Sequence, residues 1–327
     1  MLENKTILIT GGTGSLGKAL TKEIFKRYDK INQVVVFSRD EQKHFQMREE
    51  FSSKKYPKLR FVLGDVRDFE SVKSACKNVD CIIHAAAMKH VHLSEMNPEE
   101  CIKTNVGGAQ NIINAAQESS VSNVVALSTD KACAPVNLYG ATKLTSDKLF
   151  IAANNSKNSN IKFSVVRYGN VMSSNGSVVP FFLKKKQSGI LPITSPDMTR
   201  FNITLNEGVK MVLYALENAW GGELFVPKIP SYNIMDLAKA IDPSSKIKII
   251  GIRPGEKVHE EMISSSDSYN TYDIGKYYVI LPTIVSWNLK VFIEKFNASK
   301  VPIGFNYNSK ENKVFLSVEA LNKLIYS

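Results

Sequence analysis

Short, near-continuously apolar runs recur along the chain as far as residue 167, each followed by a longer amphipathic stretch. The runs lie at Thr6–Thr10, Gln33–Phe37, Leu59–Leu63, Cys81–Ala85, Asn123–Leu127 and Phe163–Arg167. Helix-like patterns fill the intervals near Leu16–Tyr28, Gln42–Phe51, Phe69–Cys76, Pro98–Gln117 and Leu138–Ala153. Strands that are apolar on both faces must be covered on both faces, and strand–helix–strand alternation makes their pairing parallel. The expectation is an α/β fold with a doubly wound parallel sheet. After about residue 172 the rhythm weakens, and Pro180, Pro192, Pro196, Pro227, Pro230 and Pro254 divide the chain into short elements. Residues 1–172 are therefore expected to form the sheet domain. Residues 173–327 are expected to form a smaller lobe over the sheet's carboxyl edge, with some segments returning to the sheet. Ligands of such sheets bind in the crevice at that edge.

The first strand runs into Gly11-Gly12-Thr13-Gly14-Ser15-Leu16-Gly17. Standing between a strand and an amphipathic helix, this loop fits the Rossmann-type glycine spacing, in which missing side chains let backbone N–H groups reach a pyrophosphate. Gly11, Thr13, Gly14, Ser15, Leu16 and Gly17 are the expected contacts of a dinucleotide. The end of the second strand chooses between NAD and NADP. Ser38 offers a hydroxyl and Arg39 a planar cation suited to a 2′-phosphate, which favours NADP. Asp40 either contacts a ribose or caps the next helix, and Asp65 with Val66 either reads an adenine edge or forms a turn. The alanine run Ala85–Ala87 fits a close backbone pass along the cofactor. His84, His90 and His92 are read as no metal site, because zinc needs a further ligand or an open position in matching geometry.

Charge bears on the ligand. The 327-residue chain carries a formal net charge of +11, which favours anionic partners. The charge is spread along the chain without an aromatic-interleaved basic stripe, so small phosphate-bearing ligands are expected and nucleic acid is not. Lys184–Lys186 reads as a solvated face. No apolar run approaches the roughly 18 residues of a membrane helix. The opening MLENKTILIT turns polar too soon for a secretory signal, and the 4 cysteines lack Cys-x-x-Cys spacing. A cytoplasmic protein with free thiols is expected.

The fifth strand ends at Leu127-Ser128-Thr129, and Tyr139 and Lys143 follow at i and i+4 of a helix. A free tyrosine, with a pKa of about 10, is a poor base at neutral pH. A lysine cation one turn away favours the phenolate and can also hold a cofactor ribose. Thr129 is placed to hydrogen-bond a hydroxyl undergoing oxidation. Asp130 and Lys131 add an acid and a base that plain oxidation does not need. As an acid Asp130 needs a raised pKa, and as a base Lys131 needs a depressed one; the alternative is a solvated loop pair.

TGGTGSLG, the alanine turn and Tyr139-Gly140-Ala141-Thr142-Lys143 resemble the extended short-chain dehydrogenase/reductase superfamily. STDKA, RYGNV (Arg167–Val171), MTRF (Met198–Phe201), FVPKIPS (Phe225–Ser231) and GIRPGEKVHE (Gly251–Glu260) sharpen the likeness. Over residues 5 to about 285 the chain resembles the family of inverting UDP-N-acetylglucosamine 4,6-dehydratases of pseudaminic acid synthesis. The resemblance implies a lyase with tightly bound NADP that is regenerated each cycle. In the implied cycle Tyr139 takes the C4-hydroxyl proton as C4 is oxidised. Lys131 then removes the C5 proton and Asp130 protonates the leaving 6-hydroxyl, after which hydride returns to C6 and C5 is reprotonated from the opposite face. For the UDP-N-acetylglucosamine substrate it implies Arg253 at the diphosphate, Glu256 at the uridine ribose and Arg200 as a second phosphate contact. It further implies Asn170, Val171, Ser177 and Val178 around the nucleotide and Lys89 toward the sugar. Each arginine also reads as a surface salt bridge. A homo-oligomer, dimer or hexamer, is implied as well. Three rivals are a UDP-sugar 4-epimerase, a retaining 4,6-dehydratase and a non-catalytic NADP-binding module. Asp130–Lys131 speaks against the first, Tyr139 against the second, and the intact Tyr139–Lys143 pair against the third. The last forty or so residues carry no motif that can be read.

Overall fold

The computed structural model describes residues 2–156, 160–172 and 177–326. The expected domain boundary at 172/173 abuts residues 173–176, which lie outside the described residues. At the centre stands a 10-stranded sheet. Its parallel part comprises β1 (Thr6–Thr10), β2 (Gln33–Ser38), β3 (Leu59–Leu63), β4 (Cys81–His84), β5 (Asn123–Thr129) and β6 (Lys162–Tyr168), in the order β3-β2-β1-β4-β5-β6. Ile9 pairs with Val36 on one side and Ile83 on the other, and Thr129 pairs with Tyr168 at the carboxyl edge. Every residue of β1 is buried, because helices cover both faces of the sheet.

On one face α3 (Phe69–Ala75), α6 (Gly108–Gln117) and α7 (Leu138–Ala152) pack over Leu8, Val35, Ile82 and Val124. On the other, α1 (Ser15–Arg27) and the helix Leu205–Asn218 pack over Ile7, Ile9, Ile83 and Val125. Alternate residues of β1, Ile7, Leu8 and Ile9, thus feed opposite cores, which is why the strand reads as one apolar run.

The second half of the chain supplies more sheet than its weak periodicity announces. Leu224–Pro227 joins β6 in parallel, and Tyr277–Ile280, Thr271–Asp273 and Ser299–Lys300 extend the sheet in antiparallel fashion. A separate cluster around Leu191, Leu237 and Leu321 gathers the helices Val178–Lys185, Ile234–Ile241 and Val318–Tyr326. Among the described residues no helix is long and apolar enough to cross a membrane.

The helix expected over Pro98–Gln117 is interrupted. A π turn, Lys103–Gly107, separates α5 (Pro98–Ile102) from α6. Within it Asn105 is buried, donating to the Met88 carbonyl (3.0 Å) and Thr142 Oγ1 (3.0 Å) while accepting from the Met88 N–H (2.8 Å). These bonds tie α7 to the turn after β4, an arrangement that accounts for the wide turn.

Helix α7 also crosses the Asp130–Ala132 turn at very short range. A Cβ on Gly140 would lie 2.2 Å from the Lys131 carbonyl oxygen, whereas one on Gly107 would meet nothing within 4 Å. Gly140→Ala should therefore lower unfolding stability in urea by roughly 1–3 kcal/mol through overpacking. Gly107→Ala, sterically free, should leave stability unchanged or raise it by up to about 1 kcal/mol. Equal stabilities for the two variants would contradict this packing.

Candidate functional site

The glycine loop forms a cradle that side chains would fill. Gly11 has φ +64°, and a Cβ there would lie 2.9 Å from the Ala86 nitrogen; on Gly17 it would lie 2.3 Å from the Gly12 carbonyl oxygen. Helix α1 starts at Ser15 without a side-chain cap and without an acidic residue in its first turn, so its positive end faces the loop uncompensated. The alanine turn is drawn against the loop by Thr10, whose Oγ1 accepts from the Ala85 and Ala86 N–H groups at 3.2 Å each. Thr10 Oγ1 also lies 2.8 Å from His84 Nδ1, and burial pushes the His84 pKa down to about 3. His84 is thereby a neutral core residue beneath the loop. Among the described residues no group of three or more His, Cys, Asp or Glu side chains is placed to hold a metal ion.

At the end of β2, Ser38 Oγ lies 2.8 Å from Thr13 Oγ1, which links strand to loop. The Arg39 guanidinium is 58% exposed and stands 3.6 Å from Asp65 Oδ2. Asp40 caps the next helix, its carboxylate accepting from the Lys43 N–H at 3.0 Å. Asp65 likewise holds a turn, accepting from the Arg67 N–H at 3.0 Å and its side chain at 2.9 Å. Val66 is buried against α6, where a Cβ on Gly108 would touch it.

The groups expected to react gather where β5 ends. Thr129 Oγ1 donates to Asp130 Oδ1 at 3.0 Å and accepts from the Lys131 N–H at 3.3 Å, closing the turn. Lys131 Nζ donates to the same Asp130 oxygen at 2.9 Å and to Asn170 Oδ1 at 3.2 Å. It also stands 3.2 Å from Glu260 Oε1. Tyr139 comes in from α7 beside Thr129; burial pushes its pKa up to about 12, against the pull of the Lys131 charge and of Thr129. Lys143, one turn on, is buried, which pushes its pKa down while the charge of Asp147 opposes. Asp147 is itself fixed by Ser128 (2.7 Å) and Arg167 (3.2 Å).

The charge of Lys131 pulls on Tyr139, and Lys143 feels the charge of Asp147. Lys131, which as a base needs a depressed pKa, is held above the ordinary lysine range. Burial works against its ammonium, but Asp130 and Glu260 outweigh burial. Asp130, fully buried beside a second carboxylate, also has its pKa raised: burial lifts it and only partly yields to Lys131.

Glu260 is the group that sequence reasoning missed. It is 2% exposed and immediately precedes the strand Glu261–Ile263. A carboxylate abutting an apolar run was the available signal. Its backbone is gripped from the chain's last segment: the Glu260 N–H donates to Ser309 Oγ (2.9 Å) and its carbonyl accepts from the Ser309 N–H (2.8 Å).

The expected nucleotide contacts divide. Asn170 and Val171 form a short strand paired with Asn202 and Ile203, which brings Asn170 to Lys131. Arg200 is 3.7 Å from Glu260 and donates to the carbonyls of Thr199, Lys257 and Val258, so it braces the loop before Glu260. Arg253 is 60% exposed, 3.7 Å from Glu256 across one tight turn. That turn is docked on the reacting segment, since Asn137 donates to the Gly255 carbonyl (2.8 Å) and Lys257 Nζ to the Cys133 carbonyl (2.6 Å). Ser177 and Val178 stand at the start of the small-lobe helix, and Lys89 lies in the turn between β4 and α4 (Val91–Met96).

Comparison with known proteins gives this site its context. The chain matches the polysaccharide biosynthesis protein family over residues 7–282. It is 52% identical to the UDP-N-acetylglucosamine 4,6-dehydratase (inverting) of Campylobacter jejuni subsp. jejuni serotype O:2, covering 99% of this chain and 98% of that protein. It is 42% identical to the UDP-glucose 4-epimerase of Rickettsia canadensis, covering 99% and 96%. The X-ray structure of Pen from Bacillus thuringiensis matches with a TM-score of 0.90 and 36% identity, over 100% of this chain and 98% of that one. The dTDP-glucose 4,6-dehydratase DesIV from Streptomyces venezuelae, solved with NAD and TYD bound, has a TM-score of 0.69 at 22% identity, over 77% and 86%. That last likeness speaks for the fold alone. With the glycine cradle, the Tyr139–Lys143 helix and these matches together, the chain belongs to the polysaccharide biosynthesis protein family of extended short-chain dehydrogenase/reductases, the family of the inverting UDP-N-acetylglucosamine 4,6-dehydratases.

Proposed function

We propose that this chain is a UDP-N-acetylglucosamine 4,6-dehydratase that inverts C5, giving a UDP-4-keto-6-deoxy-L-arabino-hexulose for pseudaminic acid synthesis. One observation carries the reading: a second acid/base pair, Asp130 and Lys131, stands within hydrogen-bond reach of the Thr129–Tyr139 couple. A 4-epimerase, the activity named for the Rickettsia relative, needs only the hydroxyl couple. Elimination of water needs the additional pair.

The cradle of Gly11 and Gly17 fits a dinucleotide, because its emptiness exists only where Cβ atoms are missing. Thr13, Gly14, Ser15 and Leu16 would hold the pyrophosphate, Lys143 the nicotinamide ribose, and Ala85 and Ala87 the adjoining edge. Ser38 and the exposed Arg39 suit the 2′-phosphate of NADP. When bound, the nicotinamide supplies a reversible hydride acceptor for the sugar, taken up at C4 and given back at C6 with no net redox.

Tyr139 accepts the C4-hydroxyl proton. Bringing its pKa from about 12 to neutrality takes roughly 7 kcal/mol. That cost favours proton transfer in concert with oxidation over a standing phenolate. Asp130, whose pKa burial raises, is the acid that protonates O6 as water leaves. Lys131 takes the C5 proton, which the C4 ketone has made acidic. Reprotonation of C5 from the opposite face then inverts that centre. Arg253 and Glu256 engage the diphosphate and uridine ribose, with Asn170, Val171, Ser177 and Val178 along the nucleotide and Lys89 toward the sugar.

Incubation with UDP-N-acetylglucosamine in deuterated water should yield a dehydrated keto-sugar labelled at C5 with inverted configuration. A C4-inverted sugar retaining its 6-hydroxyl would make the enzyme an epimerase. Lys131→Ala should cut dehydration by on the order of 100-fold or more with dinucleotide affinity unchanged; full turnover removes Lys131 from the chemistry. Arg39→Ala should weaken NADP binding by on the order of 10-fold and leave NAD binding nearly unchanged in a fluorescence titration. Equal losses for both dinucleotides would deny Arg39 its role at the 2′-phosphate.

A further inference from the structure

The nucleotide and the reacting sugar are read onto separate segments, yet one side chain bonds to both. Residues 251–256 form a turn whose Gly251 and Gly255 have φ +83° and +79°, with Ile252 and Arg253 exposed at its tip. Its internal hydrogen bonds run between Arg253 and Glu256. Among the described residues, the hydrogen bond that ties this turn to the rest of the chain runs from Asn137 Nδ2 to the Gly255 carbonyl, at 2.8 Å. The approach is close, since a Cβ on Gly255 would lie 3.1 Å from Asn137 Cβ. Asn137 is also the N-cap of α7, its Oδ1 accepting from the Gly140 N–H at 2.8 Å. A helix start leaves its first N–H groups without partners inside the helix. Here Asn137 meets one of them and Glu95 another, accepting from the Leu138 N–H at 2.7 Å. Of these two acceptors, it is Asn137 that joins helix to turn. Lys257 Nζ also ties the late segment to the reacting one, but at the Cys133 carbonyl, before α7 begins. One planar amide thus donates to the turn and accepts from the helix, and each bond polarises the other.

We propose that Asn137 is a positioning residue that couples the nucleotide turn to the reacting groups. A uridine diphosphate moiety engaged by Arg253 and Glu256 fixes the turn on Asn137, and Asn137 in turn fixes the start of α7. Two reacting elements follow that helix start. Tyr139 stands within the helical turn that the cap closes, and Gly140, whose N–H the cap holds, presses on the Lys131 carbonyl. An exposed turn with so few outside bonds opens locally at small cost. A ligand that favours its docked state therefore stabilises the cap as well, and by linkage the cap strengthens ligand binding. Binding energy from the non-reacting end of the substrate is thereby used to align the reacting end. Asn137 takes no proton and acts through the backbone of α7.

The coupling rests on the dehydratase reading's placement of the nucleotide, and two measurements keep their failures apart. Hydrogen exchange of the full chain, read by mass spectrometry with fragmentation, is followed with and without UDP. UDP should slow exchange over residues 251–257 and also at the Gly140 amide, the latter by about 5-fold or more. Asn137→Asp keeps a capping oxygen and loses the donor to Gly255. In that variant UDP should still protect the turn, while protection at Gly140 falls away. Asn137→Ser, a short neutral cap, should behave alike, which separates the lost donor from the added charge. Protection of the turn without protection at Gly140 in the wild type overturns the proposal, and so does Gly140 protection that survives in both variants. If UDP protects neither segment, the placement of Arg253 and Glu256 at the nucleotide fails and the coupling falls with it. With UDP-N-acetylglucosamine in deuterated water, both variants should lose about 10-fold in kcat for C5 labelling with a smaller change in KM. With N-acetylglucosamine 1-phosphate, which lacks the uridine, wild type and variants should label at one equal, low rate. A merely structural cap predicts the same fractional loss on both substrates, and that outcome overturns the proposal. If the wild-type enzyme releases no water from the UDP-sugar, the dehydratase reading fails, while the UDP exchange series still judges the link through Asn137.

Discussion

One ammonium group joins the segments on which this site is built. Lys131 Nζ reaches Asp130 on its own turn, Asn170 beyond β6 and Glu260 from the loop that begins at Gly251. Buried ion pairs contribute little net stability relative to apolar packing, but removing one partner costs about 3–5 kcal/mol because a charge is stranded. The cluster therefore specifies how β5, β6 and the late loop meet more than it strengthens the fold. The same arithmetic explains the unequal carboxylates. Two buried carboxylates around one ammonium cannot both ionise cheaply. The one also served by Arg200 and Lys257 has its pKa lowered, and burial raises that of the other, Asp130. The two carboxylates are set apart by environment, not by residue type.

Backbone contact makes that separation durable. Gly140 lets α7 rest against the Lys131 carbonyl, and Asn137 both caps α7 through the Gly140 N–H and holds the Gly255 carbonyl. The helix that carries Tyr139 thus cannot drift from the turn that carries Asp130 without breaking its own first turn. Proton transfers need donor and acceptor held to within a fraction of an ångström, and this region holds them by short-range sterics.

What could be read in the sequence follows from how local each signal is. Strands β1–β6 were legible because residues such as Ile7, Leu8 and Ile9 feed two cores at once and leave an unbroken apolar run. Thr129, Asp130, Lys131 and Tyr139 were legible because they sit at one strand end and on the helix after it. The π turn was not, since the partners of Asn105, Met88 and Thr142, lie on other elements. Thr271–Asp273 and Ser299–Lys300 were silent for a similar reason: strands of two or three residues, partly polar, have no period to detect.

Glu260 shows where such reading ends and what the end of the chain does. Its carboxylate is placed by its backbone, and its backbone is placed by Ser309, which also bonds Thr199 Oγ1 at 2.7 Å. Thr199 belongs to the strand that pairs with Asn170–Val171, so one buried serine ties both flanks of Lys131 together. Ser309 lies beyond residue 282, where the family match stops. The Thr129–Lys131 turn lies within that match, while Glu260 beside it is held by a residue beyond it. Protonation in this site is thus a property of the whole chain's packing, which no local motif could have disclosed.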